Sequence, residues 1–412
     1  MGKNQRFHKS DVTLLARSSS LITTALKEQK ISQQDAGLIR EFMAELAASS
    51  QLTPGRQYKL INMMILNRVY LPPYAECTIG DIYEAVNRLK SAVDAAGNPL
   101  FKRNTISDRV KMIKRFFLWL TENGYSEVDE KKIRKIKPPT PDKMTKTVDM
   151  LLSPNEIESL IRAGTNSRDR ALLAVLYEGG FRIGEIGNLT WGQLKFTDWN
   201  VAVNTAEKTG NPRFIPLVLS RAYLAQWKND YSGELNPDAF VFLTLTTRKP
   251  IQYQNTVKQI RKLAERAGIT KHITPHIFRH SRITHLIQQG VPETVIKLMM
   301  WGNLTTDMFQ TYAHLTNTDV ENCIAELNGI ERSERKRRTR AMKPLQCPRC
   351  AEINSPGMKF CGKCGCSLSD SGKQEQEQLD MLLQILAKNP GMIFELAGRM
   401  GDKRAIGRDN SQ

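Results

Sequence analysis

The stretch KKIRKIKPPTPDKMTKTVD, residues 131–149, limits the fold more than any other part of this chain. Pro138, Pro139 and Pro141 fall within four positions, and proline removes a backbone donor and breaks helix interiors and central strands. Seven Lys or Arg face two Asp there, so the segment reads as a semi-extended basic linker and not as an element of a core. One continuous core across the chain is therefore excluded, and 412 residues leave room for a sizeable domain on either side.

Upstream, residues 1–130 read as a bundle of four or five helices. Ser32–Asp35, Thr78–Asp81 and Thr105–Asp108 are capping-box-like starts, and Val110, Ile113, Phe116, Phe117 and Leu120 recur at helical spacing. Lys59, Arg68, Arg103, Lys111, Lys114 and Arg115 are candidate phosphate contacts of this bundle. Downstream, Ser153-Pro154-Asn155-Glu156 combines an N-cap, a first-turn proline and an N3 glutamate, opening a domain over 150–330. An apolar helix over Ala171–Tyr177 runs into Gly179-Gly180, Arg182 and Glu185. Residues 200–217 turn β-rich, with a hairpin about Thr209–Pro212 and Lys208 near its tip. Helices resume over 219–230 and 251–267. The fold class is mainly α with a small antiparallel β-sheet.

The chemistry concentrates in residues 274–315. Thr274-Pro275 starts a helix that carries His276 and Arg279 at i, i+3, hence on one face. His285 of that helix is read as facing the core. A second helix, from Val291 to Met300, is ended by Gly302, and Tyr312 follows ten residues later. Lys+Arg 60 against Asp+Glu 42 gives a formal charge of +18, which points to a polyanion, most simply nucleic acid. No run of about 18 apolar residues exists, so no membrane partner is expected. The polar N-terminus lacks a signal-peptide core, and the expected location is the cytoplasm.

Five of the seven cysteines lie between 347 and 366, which favours metal over disulfides. Cys347-Pro-Arg-Cys350 and Cys361-Gly-Lys-Cys364 are two CxxC pairs with ligand spacing for a structural Zn²⁺ in a closed zinc ribbon over 347–366; Cys366 is a bystander. A second basic linker, 331–346, precedes the ribbon. Leu379, Leu382, Leu383 and Leu386, then Ile393, Leu396, Ala397 and Met400, give two apolar stripes in a helical tail over 373–401. They would pack on each other or on another subunit.

Four segments together resemble the tyrosine recombinases, the phage-integrase group that includes the Xer-type resolvases, over roughly residues 10 to 330. FRIGEIGNL resembles the first arginine box, EKTGNPRFIPL the hairpin lysine segment, HIFRH the second box and QTYAH the nucleophile segment. The resemblance implies that Arg182, Lys208, His276, Arg279 and Tyr312 are catalytic. It places Asn303 where the family carries His or Trp; an amide can donate to a phosphate oxygen but cannot move a proton. It further implies an N-terminal core-DNA-binding domain and a clamp around double-stranded DNA. A tetramer on two sites, from a monomer or dimer when free, follows as well. With an appended ribbon it suggests an archaeal source. The alternatives are a weakened, recombinase-derived DNA-binding regulator and a type IB topoisomerase.

Overall fold

The computed structural model describes Phe7 and residues 11–142, 148–205, 212–307, 309, 324, 328 and 344–388. Described residues up to 142 belong to one compact unit and those from Val148 onward to another.

The first unit holds α1 (Asp11–Lys27), α2 (Gln33–Ser49), α3 (Pro54–Asn67), α4 (Ile79–Ser91), α5 (Arg103–Glu122) and the short α6 (Glu130–Arg134). Ser32 with Asp35 and Thr78 with Asp81 close reciprocal capping boxes at α2 and α4. Thr105 does not start its helix: α5 begins at Arg103, and Asp108, one turn inside, pairs with Lys59 at 2.9 Å. The core is aromatic, with Phe116 between Phe42 at 5.1 Å and Tyr74 at 4.8 Å between ring centroids. Asp35 is fully buried and accepts from Ser32 N, Tyr74 N and Arg68 Nε, which joins α2, the end of α3 and the following loop.

Two readings of basic residues change. Arg68 serves the buried Asp35, and Lys114 donates to the carbonyls of Arg134 and Ile136 at 2.6 and 3.0 Å, so both cations are structural. The segment 131–149 is also not wholly linker. Ile133 and Ile136 are buried in this unit's core, because two isoleucines three apart give α6 and the turn after it one apolar side despite the charge around them. At the other end, Leu151 and Leu152 are buried in the second unit.

The second unit begins with α7 (Pro154–Arg162), whose N-cap Ser153 and Glu156 form the expected capping box. Its central element is α8 (Ser167–Glu178), buried on every side from Ala171 to Glu178. The short α9 (Ile183–Gly187) follows, then an antiparallel sheet in the order β1 (Leu194–Phe196), β2 (Val201–Thr205), β3 (Arg213–Leu217). Only β2 and β3 are legible in the sequence; β1 is three residues long and too short for alternation to show. Thr205 pairs with Arg213 across the hairpin. Next come α10 (Ser220–Asn229), α11 (Tyr253–Arg266), α12 (Pro275–Gln288) and α13 (Glu293–Trp301). The last described elements are β4 (Leu345–Gln346), β5 (Ile353–Asn354) and α14 (Asp370–Lys388). No described helix is long and apolar enough to cross a membrane.

Two side chains of α8 lock its neighbours. The Glu178 carboxylate accepts from the N–H groups of Val218, Leu219 and Ser220 at 2.7–2.8 Å and so caps α10. Tyr177 Oη lies 2.9 Å from Nδ1 of His285 on α12.

His285 is buried, as read from the sequence, and burial, aided by the Arg282 charge, lowers its pKa from 6.5 to about 4. The ring stays neutral in the folded state while the unfolded chain protonates near 6.5. Its contribution is thus intact above that value and is lost as pH falls towards 4, on the order of 3 kcal/mol. Urea unfolding at pH 7 and pH 4.5 should show a steeper loss for the native chain than for His285→Gln; equal slopes would contradict this account.

Candidate active site

The C-terminus of α13 is the point on which the site residues converge. A helix ends with carbonyls that no intrahelical N–H can reach, and they carry its negative pole. Here Gly302, at φ 66°, ends the helix in the left-handed region, and two buried guanidinium groups take the carbonyls. Arg279 of α12 donates to Met300 O at 2.7 Å and Gly180 O at 2.6 Å, and its guanidinium sits 5.2 Å from the centre of the Trp301 ring. Arg213 of β3 donates to Met299 O at 3.0 Å and to the same Met300 O at 2.9 Å.

Arg213 continues the network to the first arginine box. It pairs with Glu185 Oε2, while Glu185 Oε1 takes Arg182 Nη1 at 3.1 Å. Glu185 also accepts Arg182 N at 2.7 Å, so it both starts α9 and aims the Arg182 side chain. Arg182 is half-exposed and Arg279 is buried. The chain from Arg182 through Glu185, Arg213 and Met300 to Arg279 therefore fixes both arginines against one helix end. Burial lowers the proton affinity of Arg213, and Glu185 opposes it.

Close approach at this point requires glycine. Gly180 has φ 53°, and a Cβ there would lie 2.7 Å from Met300 Sδ. His276 lies in the first turn of α12, exposed, with its ring centroid 6.3 Å from that of His280. Asn303 occupies the expected position just past Gly302. Its Oδ1 accepts from Thr305 N and Thr305 Oγ1, both at 2.8 Å, so the carbonyl end of the amide is committed to the next turn. Lys208 and Tyr312 lie outside the described residues.

Sequence reasoning missed Arg213, although its signal was present. It stands in phase with Ile215 and Leu217 on the buried side of β3, and a cation on an inward register needs a fixed partner. In the sequence Gly180 shows only as the second of two glycines after a helix; its service to Met300 depends on a contact 120 residues away in the chain.

The four cysteines form a separate cluster. The Sγ atoms of Cys347, Cys350, Cys361 and Cys364 all lie within 4.8 Å of one another, two pairs at 3.6 Å. A tetrahedral metal with bonds of about 2.3 Å requires sulfur separations of about 3.8 Å, so the donors fit such an ion. The two CxxC turns repeat one geometry: Ala351 and Gly365, at φ 56° and 69°, return their N–H groups to Cys347 O and Cys361 O. Burial raises the Cys361 thiol, but N–H groups of Cys364 and Lys363 and the Asn354 amide outweigh it and lower its pKa. Burial is likewise outweighed at Cys347, by the N–H groups of Cys350 and Arg349. Cys366 is not one of the four.

The chain is similar to known proteins in sequence and in fold. Residues 151–319 match the phage integrase family. Over 200 residues the chain is 32% identical to transposase A from transposon Tn554 of Staphylococcus aureus, covering 45% of this chain and 54% of that protein. The chain thus spans about half the length of these transposases. It is 25% identical over 236 residues to tyrosine recombinase XerD of Neisseria meningitidis, covering 55% of this chain and 77% of that protein. Among solved structures, the Tn1549 transposon integrase in complex with transposon right end DNA shares its fold, with a TM-score of 0.55 at 16% identity. That match covers 71% of this chain and 99% of the other. The lambda integrase bound to DNA gives 0.52 at 12% identity, covering 69% and 98%. Residues 151–319 form a phage integrase, or tyrosine recombinase, domain.

Proposed function

We propose that this chain is a site-specific DNA recombinase that cuts and rejoins duplex DNA through a covalent 3′-phosphotyrosine, without ATP or a catalytic metal. The observation that carries the reading is the network that holds Arg182 and Arg279 to one helix end through Glu185, Arg213 and Met300. Attack on a phosphodiester builds negative charge on its nonbridging oxygens, and two permanently charged guanidinium groups answer that charge. Preorganised by carbonyls and a carboxylate, they need little rearrangement when the charge develops.

In this reading the Tyr312 oxygen attacks phosphorus as its proton departs, with His276 assisting. The 5′-oxygen leaves, protonated by Lys208 as general acid. The phosphotyrosyl bond keeps the energy of the broken phosphodiester, so the 5′-hydroxyl of a second strand can reverse the step. Asn303 offers its amide N–H groups to a phosphate oxygen, since its Oδ1 is already engaged. The chain acts in the cytoplasm on double-stranded DNA, as a tetramer on two sites that is a monomer or dimer when free. The excess of 18 positive charges supports the DNA partner.

Nicked suicide substrates carrying candidate attachment sites test the reaction. A covalent protein–DNA adduct on a denaturing gel is expected from the native chain and none from Tyr312→Phe. Specific binding with no adduct from either would instead favour a recombinase-derived DNA-binding regulator.

The ribbon binds a structural Zn²⁺ in this reading, supported by the thiol separations and the N–H groups aimed at the sulfurs. When bound, the ion would cross-link two turns that share little apolar core. Elemental analysis of the purified protein should find one zinc per chain, lost in Cys347→Ser with Cys361→Ser; a native chain with no metal would refute the assignment.

A further inference from the structure

The ribbon is seated on the phage-integrase domain by a short hook, and the hook begins at the thiol cluster. Cys347 N and the Asn354 side chain both donate to Glu352 O, each at 2.9 Å. Asn354 Oδ1 in turn accepts from Gly362 N at 2.9 Å, and its amide nitrogen lies 3.6 Å from Cys361 Sγ. Glu352 and Asn354 therefore take their places from both CxxC turns at once. The Glu352 carboxylate leaves the ribbon and pairs with Arg221 of α10, both side chains under a quarter exposed. Three residues on, buried Ser355 adjoins Tyr223 of the same helix. A Cβ at Gly357 would lie 2.8 Å from Arg162 Nη2 of α7.

The hook has almost no apolar support of its own. Over residues 344–369 the buried residues are Cys347, Asn354, Ser355 and Cys361, with no aliphatic or aromatic side chain among them. β4 and β5 are two residues each. Burying so little apolar surface does not offset the entropy of ordering the backbone, so a link between the thiols has to supply the order. The receiving helix leads on to the candidate site. α10 starts on the Glu178 carboxylate, which accepts from Leu219 N and Ser220 N at 2.8 Å. Glu178 O accepts from Arg282 of α12 at 3.0 Å, and Gly180 O, two residues on, accepts from Arg279. α10 thus stands between the ribbon and the end of α8 that precedes Arg182.

We infer that the ribbon is a metal-dependent brace of the phage-integrase domain. Filling the four-thiolate site fixes Glu352 and Ser355 against α10, and emptying it loosens the start of that helix. This role rests on the reading that the thiols bind Zn²⁺, and it needs neither DNA nor a second copy of the chain.

Hydrogen exchange of the full chain without DNA, followed over residues 218–229 with zinc content measured in parallel, tests it. Stripping zinc with a chelator should speed exchange there by about ten-fold, as expected of a local opening, while residues 33–49 and 103–122 of the first unit stay unchanged. Returning zinc should restore the protection. Glu352→Gln should keep its zinc yet speed exchange over 218–229 several-fold, because the hook is cut beyond the metal. Equal exchange over 218–229 in the loaded and the stripped chain would overturn the brace and leave the metal site standing. Native-rate exchange in Glu352→Gln would do the same. A native chain without zinc would overturn both, and elemental analysis identifies that case.

Discussion

Two buried cations sharing one backbone carbonyl are the constraint on which the rest of the candidate site depends. Taking a guanidinium out of water is costly unless its donors find acceptors, and removing a partner from such a group costs more than the pair contributes. At Met300 the cost is offset by a helix end that has carbonyls to spare. Arg279 and Arg213 reach it from different elements, and Gly180 and Glu185 absorb their remaining reach. Elements that are far apart in sequence, α9, β3, α12 and α13, are therefore set by the same few hydrogen bonds. Any shift in one is transmitted to the Arg182 side chain through Glu185.

Much of this was legible before the structure. The helix starts at Ser32, Thr78 and Ser153 were readable because a capping box is a local contract between residues three apart. Arg182 and Arg279, singled out from their segments, are joined by one network, and the four cysteines, singled out from spacing, cluster. The illegible parts are the long-range ones. Arg68 and Lys114 looked like free cations because their acceptors, Asp35 and the carbonyls at 134 and 136, are 20 or more residues away. The end of α6 looked like linker because seven charges masked two isoleucines that reach the core. Arg213 was overlooked because a strand register says only that a side chain points inward, not what meets it.

The departure at Asn303 has a local explanation. Histidine in that place would carry a ring with a transferable proton; asparagine instead supplies the acceptor that begins the following turn, as Asn does where a short side chain must bond two residues ahead. What the structure shows there is a fixed turn beside the helix end, with the network of both arginines intact.

The most direct measurement is the rate of covalent adduct formation on a saturating suicide substrate by Arg213→Lys, alongside its DNA affinity. Lysine keeps the charge but cannot fork between Glu185 and two carbonyls. If Arg213 positions Arg182 and Arg279 for the proposed reaction, adduct formation should slow by about 100-fold, the scale expected when reacting groups are misplaced by about 1 Å. DNA affinity should stay within a few-fold. Adduct formation at the native rate in a folded Arg213→Lys protein would contradict the account.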